Sequence, residues 1–183
     1  EDLCDFQEVI GIGESGLDFH YEHSPREVQE KSFRTHIAAA RETGLPLIVH
    51  SRGADQETVD ILADEMAKGP FKGVIHCFST GKELAEGAMA LGFYVSVAGI
   101  VTFKAADELR STVTDLPLSR LLVETDAPFL TPVPNRGKRN EPAFVVHTAR
   151  QIADLKCITI GEIADATTAN FFDLFNRAER PIK

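Results

Sequence analysis

Five short apolar runs recur along the chain, each followed by a stretch with helical spacing, and this alternation limits the fold more than any other feature. The runs are Val9 to Gly13, LPLIVH at 45–50, GVIHCF at 73–78, FYVSVAGIV at 93–101, and Leu121 to Glu124. An α/β protein with parallel strands is the expectation. Ser24, Pro25 and Glu27 read as a capping-box start, with proline at the first helical position of a helix running to Gly44. A second helix fits Asp55 to Lys68, with Val59, Leu62 and Met66 on one face and Gly69-Pro70 closing it. Lys82 to Leu91 and Lys104 to Thr114 supply two more. After a Pro/Gly/basic loop over 127–141, Pro142 opens a helix to about Leu155. Thr159 and Glu162 then cap a C-terminal helical pair ending near Asn176, with Phe171, Leu174 and Phe175 as its apolar face. Five βα units are too few to close an eight-stranded barrel of about 250 residues. The pattern therefore leaves an open doubly wound sheet or a piece of a barrel.

With 183 residues and 43% hydrophobic content, the chain can bury a substantial core as a single domain over 1–183. Its 19 Lys and Arg face 28 Asp and Glu, a net charge of -9 that argues against wholesale attraction to nucleic acid or to an anionic membrane. A polyanionic substrate would need a local basic patch or a metal. No apolar run approaches the roughly 20 residues needed to cross a bilayer, and EDLCDFQEVI has neither the basic start nor the apolar stretch of a signal peptide. A cytoplasmic location is the expectation. Cys4, Cys77 and Cys157 are too widely and irregularly spaced for a disulfide framework or a CxxC zinc site.

The strand ends carry the chemistry. Four of the five runs finish in a residue of metal-ligand type, namely Glu14, His50, His76 and Asp126. In parallel α/β proteins the carboxyl ends of the strands form the functional edge, because loops leaving there converge on one point. Strand alternation pairs Ile12 with Glu14, Ile48 with His50, Val74 with His76, and Leu122 with Asp126 on one face. Imidazole and carboxylate together suit Zn²⁺, Mn²⁺ or related ions, whereas a site for Mg²⁺ alone relies on oxygen ligands. Taken singly, Glu14 reads equally well as a solvated loop acid, His50 and His76 as hydrogen-bonded core-edge histidines, and Asp126 as a turn former. It is their coincidence at one edge that favours a metal.

His20 and His23 fall in a polar loop and His36 and His147 within helices, where surface or packing roles are expected. Arg52 and the Arg136, Lys138, Arg139 cluster share the functional edge and read either as a grip for phosphate oxygens or, as charge runs more often are, as a solvated loop. GIGESG at 11–16 matches the dinucleotide fingerprint GxGxxG, but LDFHYEHSP separates it from the first helix signal, and Glu14 would stand where phosphates should sit. A nicotinamide site is therefore rejected.

These segments resemble the TatD family of metal-dependent deoxyribonucleases, which belong to the amidohydrolase-like barrels. The resemblance is carried by GESGLD at 13–18, LPLIVHSR at 45–52, GVIHCFS at 73–79, LLVETDAP at 121–128 and RNEP at 139–142. It implies a (β/α)8 TIM barrel, of which about five C-terminal βα units are present. The family usually begins with a His-x-His strand and two further strands, so the resemblance also implies an N-terminally truncated chain. Thr80 and Gly53 depart from the residues common in the family without removing a ligand. The implied activity is phosphodiester hydrolysis on DNA, often exonucleolytic, with divalent Mg, Mn or Zn ions held by Glu14, His50, His76 and Asp126. Metal-bound water would be the nucleophile and Asp126 the base, with Glu14 also catalytic, and Arg52, Arg139 and Asn140 would hold substrate. The expected partners are DNA, through a local basic patch, and a second copy of the chain, through exposed barrel edges. No membrane partner is expected. Two other readings stay open here: a catalytically silent metal-binding remnant, and a hydrolase acting on a small amide or ester.

Overall fold

The structure, a computed structural model, describes residues 2–181. Five parallel strands form one sheet in the order β1-β2-β3-β4-β5: β1 Ile12–Asp18, β2 Leu47–Arg52, β3 Gly73–Ile75, β4 Tyr94–Val97 and β5 Leu121–Val123. The helices are α1 Arg26–Thr43, α2 Asp55–Met66, α3 Lys82–Ala90, α4 Asp107–Asp115, α5 Val145–Lys156 and α6 Ile160–Leu174. A doubly wound sheet reverses its strand order at a switch point, and this one never does. Its winding in a single direction rules out the first of the two architectures left open by the sequence.

Alternation along the strands divides the core in two. Val49, Ile75, Val95, Val97 and Leu121 point into the larger cluster, where Phe33 and Ile37 of α1, Leu62 of α2, Leu84 of α3, Val113 of α4 and Ile152 of α5 meet them. Each such fully buried side chain contributes roughly 1.5–3 kcal/mol. Ile48, Val74, Tyr94 and Leu122 point the other way, into a smaller cluster with Leu174 and Phe175. Helix α6 belongs to both, since Ile163 near its start lies in the larger cluster and Leu174 at its end in the smaller. It is tied to β5 by Asn170, whose amide donates to the carbonyls of Leu118 at 2.9 Å and Leu121 at 2.8 Å. Among the described residues no helix is long and apolar enough to cross a membrane.

Several elements differ from the sequence reading, each for a local reason. The first strand lies later than Val9 to Gly13 and runs through GESGLD itself. Gly16 permits this: a Cβ there would sit 1.9 Å from the carbonyl oxygen of His50, so only glycine lets the two backbones close. The pairing with β2 slips between Ile12 and Ser15. No capping box forms at Ser24, and Pro25 occupies the N-cap position of α1 without a side-chain cap. Gln29 does the anchoring instead, donating to the carbonyls of Ser24 and Asp18 and accepting from the Asp18 N–H at 2.8 Å. Helix α2 packs the expected Val59, Leu62, Met66 stripe against the core but is turned slightly from it, so that Thr58, Ile61, Leu62 and Glu65 are its most buried residues. The turn brings Glu65 to Arg34 at 2.8 Å, Arg41 at 3.0 Å and Lys68 at 2.7 Å. The long fourth run breaks after Val97 into a short 3-10 turn over Gly99–Thr102, where a Cβ on Gly99 would meet the Leu130 carbonyl of the overlying loop at 2.2 Å. The expected C-terminal pair is one helix, α6, and its Thr159–Glu162 capping box is present.

Candidate metal centre

Each candidate ligand reaches the carboxyl edge of the sheet by a different local device. Glu14 lies within β1, where the glycines on either side hold the strand against β2. His50 lies within β2, so its direction follows from alternation with Val49. His76 follows the last residue of β3, yet its N–H still donates to the Val49 carbonyl at 2.8 Å, which extends the strand direction by one residue. Asp126 does not follow strand alternation. Strand β5 ends at Val123, and Asp126 has a left-handed backbone with φ 56°, braced by the Phe129 N–H donating to its carbonyl at 2.8 Å. Asn140 supports this turn from below. It is buried, and its amide donates to the carbonyls of Thr125 and Phe129 at 2.8 and 2.6 Å.

The four side chains converge. Glu14 stands between the two imidazoles, with one oxygen 3.0 Å from His50 Nδ1 and the other 3.8 Å from His76 Nε2. His76 Nε2 is also 3.7 Å from Asp126 Oδ1. The last two separations exceed a hydrogen bond and match atoms that share an ion at ~2.1 Å from each. On its other side, His76 Nδ1 faces Glu124, with Oε1 at 3.0 Å and Oε2 at 3.2 Å. Only Oε2 is aligned to accept from the ring, so Oε1 is buried without a hydrogen-bond partner. A ring that donates from Nδ1 presents the Nε2 lone pair to Glu14 and Asp126.

The electrostatics of the acids differ across the site. Burial raises the Asp126 pKa, and the carboxylates of Glu124 and Glu14 raise it further against the opposing pull of His76. Burial works against a charged His76, but the Glu124 hydrogen bond and the charges of Glu124, Glu14 and Asp126 hold its pKa above the ordinary value. Asp18 behaves oppositely. It too is disfavoured by burial, yet the N–H groups of Tyr21 and His20 donate to Oδ1 at 2.8 and 3.0 Å and lower its pKa. Its Oδ2 lies 3.6 Å from His50 Nε2. Carboxylates thus face both imidazoles, Glu14 bridging His50 and His76 and Asp126 standing beside His76 Nε2, and imidazole with carboxylate is a donor set that suits a divalent cation.

Sequence reasoning identified Glu14, His50, His76 and Asp126 but assigned no role to Glu124, Cys77 or Asp18. Yet among the described residues the potential ligand atoms that gather within 4.8 Å of one another are those of His76, Cys77, Glu124 and Asp126, a group without Glu14 and His50. Glu124 was detectable, because alternation places it on the face of Leu122. Cys77 and Asp18 gave no such signal, since a backbone with φ 46° turns Cys77 and a loop beyond the strand engages Asp18. Of the candidate substrate contacts, Arg52 and Arg139 are exposed, while Asn140 is spent on bracing the loop. A cavity of about 480 Å³, lined by Ile48, Val74, Leu122, Phe171 and Phe175, opens beside His76 and Glu124 on the face of the sheet that carries the smaller core cluster.

Known proteins are similar to this chain in sequence and in fold. YabD of Bacillus subtilis, named as an uncharacterized metal-dependent hydrolase, is 47% identical over 175 residues, an alignment covering 96% of this chain and 68% of YabD. A protein of Erwinia tasmaniensis named 3'-5' ssDNA/RNA exonuclease TatD is 36% identical over 95% of this chain and 69% of its own length. The crystal structure of YJJV, a TatD homologue from Escherichia coli K12, superposes with a TM-score of 0.85 at 30% identity, covering 92% of this chain and 64% of YJJV. The chain thus spans about two thirds of the length of these relatives. The family model described as TatD related DNase matches residues 1–176, and with the relatives it shows that the chain belongs to the TatD family of metal-dependent hydrolases.

Proposed function

We propose that the chain carries the phosphodiesterase centre of a TatD-type deoxyribonuclease, and that its five strands are an arc of an eight-stranded barrel with the site at the mouth. The observation that carries this reading is the convergence of Glu14, His50, His76 and Asp126 at the carboxyl edge of the sheet. Those four residues would hold a divalent Mg, Mn or Zn ion. Such an ion supplies Lewis acidity, making a water acidic enough to attack phosphorus and offsetting charge on the phosphate oxygens.

The remaining steps fall to the chain's own groups. Asp126 would accept the proton of the attacking water at its carboxylate, which lies 3.7 Å from His76 Nε2 at the same edge. Glu124 fixes the His76 ring through Nδ1 and keeps Nε2 turned to the site. Arg52 and Arg139, both exposed at the same edge, bind the nonreacting phosphate oxygens and stabilise charge as the bond breaks. With a net charge of -9, the chain engages DNA through this local basic rim rather than through its overall field. Unpaired edges of β1 and β5 serve a second copy of the chain.

Hydrolysis of a labelled oligonucleotide with Mg²⁺, Mn²⁺ or Zn²⁺ tests the reading. Asp126→Asn should lower turnover by about 10²-fold or more, in line with the loss of a general base. Unchanged turnover in that variant would contradict the role, and cleavage of small amides or esters in preference to DNA would contradict the substrate.

A further inference from the structure

We infer that Asp18 is a positioning residue for His50: its carboxylate accepts from the ring at Nε2 and so keeps Nδ1 turned toward the ion. This rests on the metal-centre reading and adds to it the group that aims one of the ligands. Glu14 and Asp18 lie two residues to either side of Gly16, the residue of β1 that pairs with His50. The imidazole therefore has a carboxylate on each flank, with Glu14 Oε1 3.0 Å from Nδ1 and Asp18 Oδ2 3.6 Å from Nε2.

The two acids are held differently. The other oxygen of Glu14 lies 3.8 Å from His76 Nε2, and Asp126 Oδ1 lies 3.7 Å from that same nitrogen, so the candidate ligands gather on the Nδ1 side of His50. An ion shared with Glu14 meets His50 through Nδ1. A neutral imidazole that gives one lone pair to a metal carries its proton on the other nitrogen, and here that proton faces Asp18.

Asp18 is fixed in place by its surroundings. Its Oδ1 accepts from the N–H groups of Tyr21 at 2.8 Å and His20 at 3.0 Å. Its backbone N–H donates to Gln29 Oε1 at 2.8 Å, and its carbonyl accepts from Gln29 Nε2 at 3.1 Å. Gln29 belongs to α1, so the docking of that helix holds the acid. Oδ2 is the oxygen left for the ring. The 3.6 Å separation is longer than a hydrogen bond, and contacts of this kind shorten when a site is loaded. A carboxylate behind a ligating histidine fixes the direction of the ring and raises its basicity, as Glu124 does for His76.

Two variants separate this role from the loop that Asp18 also braces. In Asp18→Asn the two loop N–H groups keep the side-chain oxygen, which leaves the NH2 group facing Nε2, donor against donor. In Asp18→Ser a hydroxyl remains for the loop and nothing faces the ring. Titration calorimetry of the full chain should show Zn²⁺ and Mn²⁺ binding weakened roughly 10–100-fold in both, with Asn the worse of the two. A role in the loop alone gives the reverse order, because Asn makes the stronger side-chain turn. Heteronuclear NMR of the histidine rings in the Zn²⁺-loaded chain should show Nδ1 of His50 bound to metal and a slowly exchanging Nε2–H that exchanges fast in Asp18→Ser. Unchanged affinity in both variants, Ser worse than Asn, coordination through Nε2, or equal Nε2–H exchange overturns the inference. If Glu14→Gln weakens binding while the Asp18 variants do not, the inference fails alone. A wild-type chain that binds neither ion, or binds as well after Glu14→Gln, removes the metal centre and this inference with it.

Discussion

At the scale of single residues, Glu124 decides how His76 is used. Its carboxylate meets Nδ1 with both oxygens within 3.2 Å, and the ring cannot rotate without losing that contact. Glu124→Gln should therefore leave the fold in place yet weaken divalent-metal binding roughly 10–100-fold, as measured by titration calorimetry. Equal affinity in the variant would mean that packing alone orients the ring. The four candidate ligands could be proposed from the sequence because each stands at the end of an apolar run, although β1 and β2 extend past Glu14 and His50 and β5 stops short of Asp126. Their supports could not. The partner of Nδ1, the loop amides that hold Asp18, and the left-handed turn at Asp126 all depend on contacts that no local spacing encodes.

Between elements, the α1–α2 contact is set by one buried acid. Burial alone would raise the Glu65 pKa, but Lys68, Arg34 and Arg41 pull it down to about 2. A depressed carboxylate stabilises the fold above its unfolded pKa, so this contribution is complete above about pH 4.5 and is lost as pH falls toward 2. After allowance for solvent screening of the exposed partners, it is on the order of 2 kcal/mol. Glu65→Gln should lower Tm by about 4–8 °C at pH 7, and the gap from wild type should close as the pH is brought toward 2. A constant gap across that range would show that the acid acts through packing. The same acid explains why α2 is turned slightly from the face that helical spacing predicts, since periodicity assumes an apolar inner face and this one includes an ion-paired glutamate. The Thr159–Glu162 box was readable because both partners are local, whereas at Ser24 a distant competitor, Gln29, takes over the anchoring.

For the whole molecule, the consecutive strand order gives one five-stranded parallel sheet, and the cavity lies on the face that carries the smaller core cluster. The alternation of strands and helices made the parallel α/β class legible, but strand order could not be read from it, because crossovers to either side have the same sequence pattern. We propose that the outer edges of β1 and β5, where no further strand pairs with them, favour pairing with another chain. Light scattering should show a dimer or larger species at micromolar concentration, and a stable monomer would contradict that expectation. Everything functional depends on Glu14, His50, His76 and Asp126 sharing one cation. Anomalous diffraction from crystals soaked in Mn²⁺ or Zn²⁺ tests this directly. The account predicts a peak at about 2.0–2.3 Å from ligand atoms of Glu14, His50 and His76, with Asp126 beside it. No peak among these side chains, or a peak only elsewhere on the protein, would contradict it.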